Sequence, residues 1–388
     1  MRRIPFISSF LVAVVLAGCS SLHLNVRGAG ESAWTTEGDS PARRNAVDAD
    51  LQPPLRELWR FDAGAGFGSI SPLMVDHVVF VANRKGEVHA VDLERGKRLG
   101  QTSFGETIEG TPVFDNGTIY VPVGWGRSAI FAYDVLRGAR KWKVKGAPIS
   151  TGLILFDGHL IAADDHGRVT AYAMETGKID WTLEIGDQVG VKSTPALVGD
   201  RLFVADDAGH VSAIDARDGS LVWSADTGFP AYASLAADEE YLFVPTTRGR
   251  FIALAIDDGR EVWSYDAGDD QVQFGAAAVG DREIVFGGSD GLVRSLSRGD
   301  GGTLWTTEAH AAVSATPLIT ESTVYVGTMK SRLLALTRHD GVVSWDTELD
   351  GRIKSAFAMK DGRLIVLAEP RTVYAFEREV ESYAVQEE

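Results

Sequence analysis

Cysteine is nearly missing from this chain, whose 388 residues include one, Cys19. A single thiol excludes an intramolecular disulfide bond and any metal centre that needs several cysteine ligands. The eight histidines are scattered, without the His-x-His or His-Glu-x-x-His spacing typical of zinc sites, and no Walker loop is present. The sequence therefore predicts no metal site, no cofactor and no catalytic residues.

Basic residues are also scarce. The first 18 residues contain two arginines and no acid, so the rest of the chain carries 54 Asp and Glu against 36 Lys and Arg, a formal charge of −18. Phosphate contacts need clusters of Lys and Arg, and this balance therefore argues against a nucleic-acid partner. It also disfavours electrostatic docking to anionic lipid head groups.

A sustained apolar run occurs at the N-terminus. After the basic start, residues 4–17 form an apolar stretch that is too short for a transmembrane helix and typical of a signal peptide. It ends in Leu16-Ala17-Gly18-Cys19, which resembles the lipobox of bacterial lipoproteins. The resemblance implies removal of a signal peptide, residues 1–18, and acylation of Cys19, because several acyl chains give stable membrane attachment.

The segment after Cys19 shows no sustained apolar period. Residues 20–50 are rich in Ser, Gly, Ala and Asp, which predicts a flexible tether. A serine rather than an aspartate after the cysteine resembles the sorting pattern of lipoproteins sent to the outer membrane. We therefore expect a lipid-anchored protein on the periplasmic face of that membrane.

Tryptophans mark an internal repeat. Seven of them are separated by 83, 39, 42, 40, 42 and 40 residues, and Gly100 stands where the first, double-length gap lacks one. A fixed period of this size is typical of propellers and solenoids, and the lack of a helical period long enough for a crossover excludes a βα solenoid. We assign the seven a structural role, packing on a neighbouring blade while the indole N–H meets a carbonyl. They are Trp59, Trp142, Trp181, Trp223, Trp263, Trp305 and Trp345.

Each repeat contains four short β-rich runs, such as residues 193–198, 201–205, 210–215 and 220–224, with Gly and Asp in the turns between them. Seven such units precede an eighth, residues 353–376, which lacks the tryptophan strand; residues 55–63 supply it. The sequence thus predicts an all-β, eight-bladed β-propeller of four-stranded antiparallel blades, closed by its N-terminal strand. The propeller spans residues 51–377, and an acidic tail, residues 378–388, follows it.

The repeat motif relates the chain to a known family. The pattern Ala-x-Asp-x-x-x-Gly-x-x-x-Trp, at residues 132–142 and 213–223, resembles the tryptophan-docking motif of pyrroloquinoline-quinone-like propeller repeats. Together with the lipobox and eight blades, it resembles the BamB family, lipoprotein subunits of the complex that inserts β-barrel proteins into the outer membrane. The resemblance implies a non-catalytic, periplasm-facing scaffold that docks a BamA-type partner.

The resemblance also implies where a partner docks, namely on connections leading into the middle blades. Here these are residues 187–192 and 227–233, the second of which lacks the aspartates of the family pattern. Aromatic residues in such connections, and in a Gly-rich turn outside the repeat register, favour a protein-docking face. The candidate residues are Val189, Val191, Lys192, Phe229, Tyr232 and, in the Gly-rich turn, Trp125.

Two other functions stay open. Some propellers with this repeat are quinone-dependent dehydrogenases, which bind a quinone and calcium in the central channel, although this chain lacks the adjacent cysteine pair common in them. The connection that departs from the family pattern also allows a scaffold for a different envelope complex.

Overall fold

The tryptophan period corresponds to a ring of sheets. The computed structural model describes residues 21–27, 33–186 and 189–379, within which 33 strands form eight antiparallel sheets. The predicted all-β, eight-bladed propeller is confirmed. Cys19, the predicted signal peptide, residues 187–188 and the last nine residues of the predicted tail lie outside the described residues. Within the described ranges, no helix is long and apolar enough to cross a bilayer.

Seven blades share one layout, in which four consecutive strands pair in chain order. First strands of neighbouring blades contact each other and line the central channel, so the fourth strands form the outer edge. After β1 (Leu55–Asp62), blade 1 contains β2 (Leu73–Val75), β3 (Val78–Ala82), β4 (Glu87–Asp92) and β5 (Arg98–Ser103); blade 2 β6 (Val113–Asp115), β7 (Thr118–Pro122), β8 (Ser128–Asp134) and β9 (Ala139–Lys145); blade 3 β10 (Ile154–Phe156), β11 (His159–Ala163), β12 (Arg168–Ala173) and β13 (Ile179–Glu184); and blade 4 β14 (Ala196–Val198), β15 (Arg201–Ala205), β16 (His210–Asp215) and β17 (Leu221–Asp226).

Blades 5, 6 and 7 continue the pattern, and blade 8 completes the ring. Blade 5 contains β18 (Ala236–Ala237), β19 (Tyr241–Pro245), β20 (Arg250–Ala255) and β21 (Glu261–Asp266); blade 6 β22 (Ala278–Val279), β23 (Glu283–Gly287), β24 (Leu292–Ser297) and β25 (Thr303–Glu308); blade 7 β26 (Leu318–Ile319), β27 (Thr323–Gly327), β28 (Arg332–Thr337) and β29 (Val343–Glu348); and blade 8 β30 (Arg352–Ile353), β31 (Ala358–Lys360), β32 (Arg363–Glu369) and β33 (Thr372–Arg378).

The N-terminal strand closes the ring, as predicted. β1 pairs antiparallel with β33, so that Leu55 lies opposite Arg378 and Asp62 opposite Thr372. In blade 8, β30 and β31 both pair with β32, so β1 is the fifth strand of this sheet and takes the outer place that the fourth strand has in the other blades, although it precedes blade 1 in the chain. Pairing the first and last parts of the propeller removes an open sheet edge.

Antiparallel order gives the propeller two distinct faces. One carries the turns between second and third strands and the connections between blades, and we call it the connection face. The other carries the turns between first and second strands and between third and fourth strands, and we call it the hairpin face. Every interblade residue predicted to dock a partner therefore belongs to the connection face, and so does Trp125, between β7 and β8.

The repeated tryptophan joins each blade to the next. The Trp223 indole Nε1–H donates to the Ile256 carbonyl at 3.1 Å, and five of the other tryptophans donate to the equivalent carbonyl of their own neighbouring blade. The Trp223 ring covers Gly259, where a Cβ atom would lie 2.5 Å from Trp223 Cε3. A β-bulge interrupts the pairing of β16 with β17 between Ala213 and Ile214. It recurs between the third and fourth strands of other blades and reorients the strand locally.

Blade 1 lacks this tryptophan, and the N-terminal segment takes its place. A Cβ atom on Gly100 would lie 3.1 Å from the Cα of Leu22, which is fully buried. The Leu24 N–H donates at 2.9 Å to the carbonyl of Val135, the blade 2 equivalent of the carbonyls that accept an indole N–H. Residues 21–27 thus occupy the groove between blades 1 and 2.

Residues 33–50 differ from the predicted flexible tether, because they pack against the innermost strands. Their backbone is hydrogen-bonded to six blades, for example through the Trp34 N–H to Met74 O at 2.8 Å and the Ile319 N–H to Asn45 O at 3.0 Å. The Trp34 side chain is 1% exposed. We call residues 33–51 the channel segment. The segment shows no apolar period, because its residues meet six different blades in turn instead of packing along one of them, and a sequence without such a period resembles a tether.

Candidate docking face and central channel

Lys192 and Tyr232 lie together on the connection face. The Lys192 ammonium is 3.2 Å from Asp207 Oδ2 and 5.5 Å from the centre of the Tyr232 ring, a cation–π arrangement. The hydrogen-bonded ion pair with Asp207 raises the pKa of Lys192. Tyr232 is 50% exposed. Two connections predicted separately from the sequence therefore form one surface, with a fixed positive charge beside an aromatic ring.

Phe229 extends the same surface towards blade 5. Its ring is half-buried and lies 5.6 Å from the guanidinium of Arg248, in the turn between β19 and β20. Thr227 shapes this connection, because its hydroxyl donates to Gly209 O at 2.7 Å. The backbone of Phe229 passes so close to Gly209 that a Cβ atom there would lie 2.9 Å away. The aromatic pair thus rests on an ordered connection.

Trp125 is the most exposed large apolar side chain of the described residues, at 77%. Its turn is held by Glu106, whose carboxylate accepts the Arg127 N–H at 2.7 Å and the Ser128 N–H at 2.8 Å. Burial raises the pKa of Glu106, but the hydrogen bonds from Ser128 and Arg127 outweigh it and lower the pKa overall. A Cβ atom at Gly126 would lie 2.1 Å from Glu106 Oε2, so a larger residue there would displace the carboxylate that holds the turn. An exposed indole on a fixed turn loses little conformational entropy when it contacts a partner.

The valines of the first connection behave differently from each other. Val191 was predicted to contact a partner, but its exposure is 0% and it packs with Ile185 and Leu197 in the core between blades 3 and 4. A side chain without accessible surface cannot bind a partner, so the prediction for Val191 is wrong. Val189, in the same connection, is half-buried.

The connection face surrounds the open mouth of the central channel. This mouth is a cavity of about 410 Å³ whose wall includes the side chains of Lys192, Tyr232 and Lys354. Much of the remaining wall is small and hydroxylated, with serines contributed by most blades: Ser69, Ser71, Ser150, Ser234, Ser289, Ser314 and Ser355. Glu37, from the channel segment, also lines the cavity.

A buried ion pair fixes the channel segment beneath this cavity. Arg43 Nη1 lies 3.2 Å from Glu37 Oε2, and the two side chains are 1% and 8% exposed. Arg43 Nε donates to Pro195 O at 2.6 Å, while Glu37 accepts hydrogen bonds from Thr111 at 3.1 Å and Ser234 at 2.7 Å. Burial lowers the pKa of Arg43, and the charge of Glu37 opposes that shift. The pair connects the channel segment to three different blades.

The ion pair and Arg248 are features that sequence reasoning missed. Glu37 and Arg43 lie in a stretch without periodicity, and nothing in their spacing indicates that they are buried. Arg248 stands in an ordinary repeat turn. Within the described ranges, no group of three or more His, Cys, Asp or Glu side chains is arranged to hold a metal ion.

Comparison with protein families gives a match over most of the propeller. A family described as outer membrane protein assembly factor BamB matches residues 44–193, 165–305 and 289–380. Among curated proteins, the BamB of Yersinia pestis is 26% identical over 183 residues, which cover 43% of this chain and 44% of the relative. That of Burkholderia pseudomallei is 28% identical over 131 residues, covering 33% of each chain. These alignments span less than half the length of the relatives.

Solved structures share the fold at low sequence identity. The crystal structure of BamB from Moraxella catarrhalis is 15% identical with a TM-score of 0.70, covering 83% of this chain and 99% of that one. A europium-containing methanol dehydrogenase is 13% identical with a TM-score of 0.77, covering 90% of this chain and 99% of that one. The propeller is therefore common to assembly factors and to dehydrogenases, and the two functions must be distinguished by their sites.

Proposed function

This chain belongs to the family of outer membrane protein assembly factor BamB, and from that premise we propose that it is a non-catalytic scaffold in outer-membrane protein assembly. In this proposal the chain is anchored through acylated Cys19 on the periplasmic face. It docks a BamA-type barrel-assembly protein through Trp125, Lys192, Phe229 and Tyr232. The observation that carries the proposal is that these four side chains share the connection face. Glu106 holds the turn of Trp125, Asp207 pairs with Lys192 beside Tyr232, and Arg248 lies over Phe229.

The filled channel favours a scaffold over a quinone-dependent enzyme. The place at the propeller axis where such an enzyme holds its cofactor is crossed here by the channel segment, with Trp34 and Arg43 buried in it. The remaining cavity offers serine hydroxyls rather than a cluster of acidic calcium ligands. Titration with pyrroloquinoline quinone and calcium tests this directly, and saturable binding with dehydrogenase activity would support the enzyme instead.

A pull-down from mildly solubilised membranes tests the docking face. The tagged full-length lipoprotein should capture a barrel-assembly protein, and the double variant Trp125→Ala/Tyr232→Ala should lose it. Both side chains are largely exposed, so the thermal unfolding midpoint should stay unchanged. Ile179→Ala/Leu304→Ala is the matched control, because these apolar residues are 60% and 55% exposed on outer strands. Equal capture by both variants would contradict the proposed face, and capture of other envelope proteins would favour a different complex.

A further inference from the structure

The docked N-terminal segment restricts the position of the lipid anchor. Ser21 forms a β-bridge with Gln101 on the outer strand of blade 1, and Tyr133 Oη of blade 2 donates to Leu22 O at 3.0 Å. Cys19 precedes Ser21 by two residues, and two residues of extended chain span about 7 Å at most. Acyl chains on Cys19 would therefore enter the bilayer beside blades 1 and 2, rather than at the end of a long tether.

The same two blades carry a charge opposite to that of the whole chain. Residues 73–145, from β2 to β9, contain eleven Lys and Arg against eight Asp and Glu, a net of +3, whereas residues 19–388 carry −18. All eleven are exposed; Arg84, Lys85 and Arg127 lie in connection-face turns, and the other eight lie on the hairpin-face turns and outer strands of these blades, next to residues 21–27. These eight are Arg95, Lys97, Arg98, Arg137, Arg140, Lys141, Lys143 and Lys145.

Equivalent repeat positions show that this charge is local. Two residues before the docking tryptophan, or before Gly100 in its place, blades 1 and 2 carry Arg98 and Arg140. The same position holds Ile179, Leu221 and Val343 in blades 3, 4 and 7. Since the repeat geometry is shared, the fold itself does not require arginine there.

We propose that the outer edge of blades 1 and 2 is the membrane-contacting surface of this protein, where its exposed Lys and Arg bind anionic phospholipid head groups. The edge lies within reach of the anchor and has the charge that an anionic leaflet attracts. The proposal departs from the expectation that the acidic chain does not dock to anionic lipid, because the excess of acids lies outside residues 73–145. The inference rests on the acylation of Cys19, which belongs to the proposed function.

Depth-dependent fluorescence quenching tests the orientation. The acylated protein has no other cysteine, so Ala139→Cys places one label on the edge, and Ser220→Cys places one at the equivalent exposed position of blade 4. Both are reconstituted in vesicles of phosphatidylethanolamine and phosphatidylglycerol that contain a nitroxide lipid. Quenching at residue 139 should be several-fold stronger than at residue 220, and equal quenching or the reverse order would overturn the proposal. Mass spectrometry of the mature protein separates a failure of acylation from a failure of orientation.

The electrostatic part is tested without the anchor. Unacylated protein with Cys19→Ser should bind phosphatidylglycerol-containing vesicles weakly, and the triple variant Lys97→Gln/Lys141→Gln/Lys143→Gln should bind about a hundredfold more weakly, from about fivefold per basic residue. The matched control neutralises three exposed bases of blades 5, 6 and 7, with the substitutions Arg260→Gln, Arg282→Gln and Lys330→Gln. Equal losses in both triple variants, or binding that does not depend on phosphatidylglycerol, would refute a specific edge.

The docked segment itself is tested by restoring the missing tryptophan. In Gly100→Trp the indole would occupy the groove that Leu22 fills, so the Leu24 amide should lose its protection from hydrogen exchange. The quenching difference between residues 139 and 220 should then shrink, because the anchor is released from the edge. An unchanged exchange rate and an unchanged difference in this variant would contradict the role given to residues 21–27.

Discussion

Removal of Arg43 should strongly destabilise the propeller. In Arg43→Met, Glu37 keeps its hydrogen bonds from Thr111 and Ser234 but loses the cation at 3.2 Å, in a place where its side chain is 8% exposed. Breaking a buried pair by removing one partner costs about 3–5 kcal/mol, because the remaining charge is uncompensated. The Pro195 carbonyl also loses its donor.

Equilibrium urea unfolding, followed by tryptophan fluorescence, measures this cost. Arg60→Met is the matched control, because Arg60 pairs with Glu57 at 2.7 Å and with Asp350 at 2.6 Å but is 54% exposed, where each such pair contributes about 0–1 kcal/mol. Adding Glu37→Gln to Arg43→Met should restore part of the loss by removing the buried charge. An Arg43→Met variant within about 1 kcal/mol of the parent, or a double variant less stable than the single one, would refute the reasoning.

Three further changes test the blade junctions and one buried histidine. Gly259→Ala should lower the free energy of unfolding in urea clearly more than Gly64→Ala. Both glycines have positive φ, but a Cβ atom at position 259 meets Trp223, whereas one at position 64 meets nothing within 4 Å. Trp223→Phe should cost about 1–3 kcal/mol, since the Ile256 carbonyl loses the indole donor, and a neutral result would contradict a structural role for that hydrogen bond. Burial lowers the pKa of His89, so below its unfolded pKa near 6.5 the unfolded chain takes up a proton that the folded chain resists. Stability should therefore fall as the pH drops from 7 to 5, and His89→Gln should reduce that fall; equal pH dependence would exclude His89 as its source.

The repeat could be predicted from the sequence because its signals are local. The predicted runs 201–205 and 210–215 coincide with β15 and β16, since apolar alternation and Gly turns lie within a few residues of each other. The run 193–198 was predicted too long, and β14 begins at Ala196. Residues 193–195 belong to the connection instead, where the Pro195 carbonyl accepts from Arg43. A long-range contact thus replaces the strand ladder there.

The N-terminal segment could not be predicted, because its partners are distant in the chain. The sequence shows that Gly100 replaces a tryptophan, but not that Leu22 fills the space, 78 residues earlier. The surface candidates show the same limit. Val191 and Tyr232 both stand in interblade connections, yet one is buried and the other is 50% exposed. Composition and spacing place a residue in a connection, but only the packing of two blades decides which side chain remains accessible.

The path of the N-terminal chain explains why the two faces differ in what they can bind. Arg27 and Arg44 contact Asp76 and Asp281, which lie in turns of the hairpin face, so the chain contacts that side both before the channel segment and within it. On the opposite side, Glu37 of the channel segment lines the cavity. Among the described residues, the N-terminal segment covers part of the hairpin face, whereas Trp125 and Tyr232 on the connection face are exposed. In the proposed arrangement, a protein held by its N-terminus at blades 1 and 2 would therefore present Trp125 and Tyr232 to a second protein on the face that residues 21–27 leave uncovered.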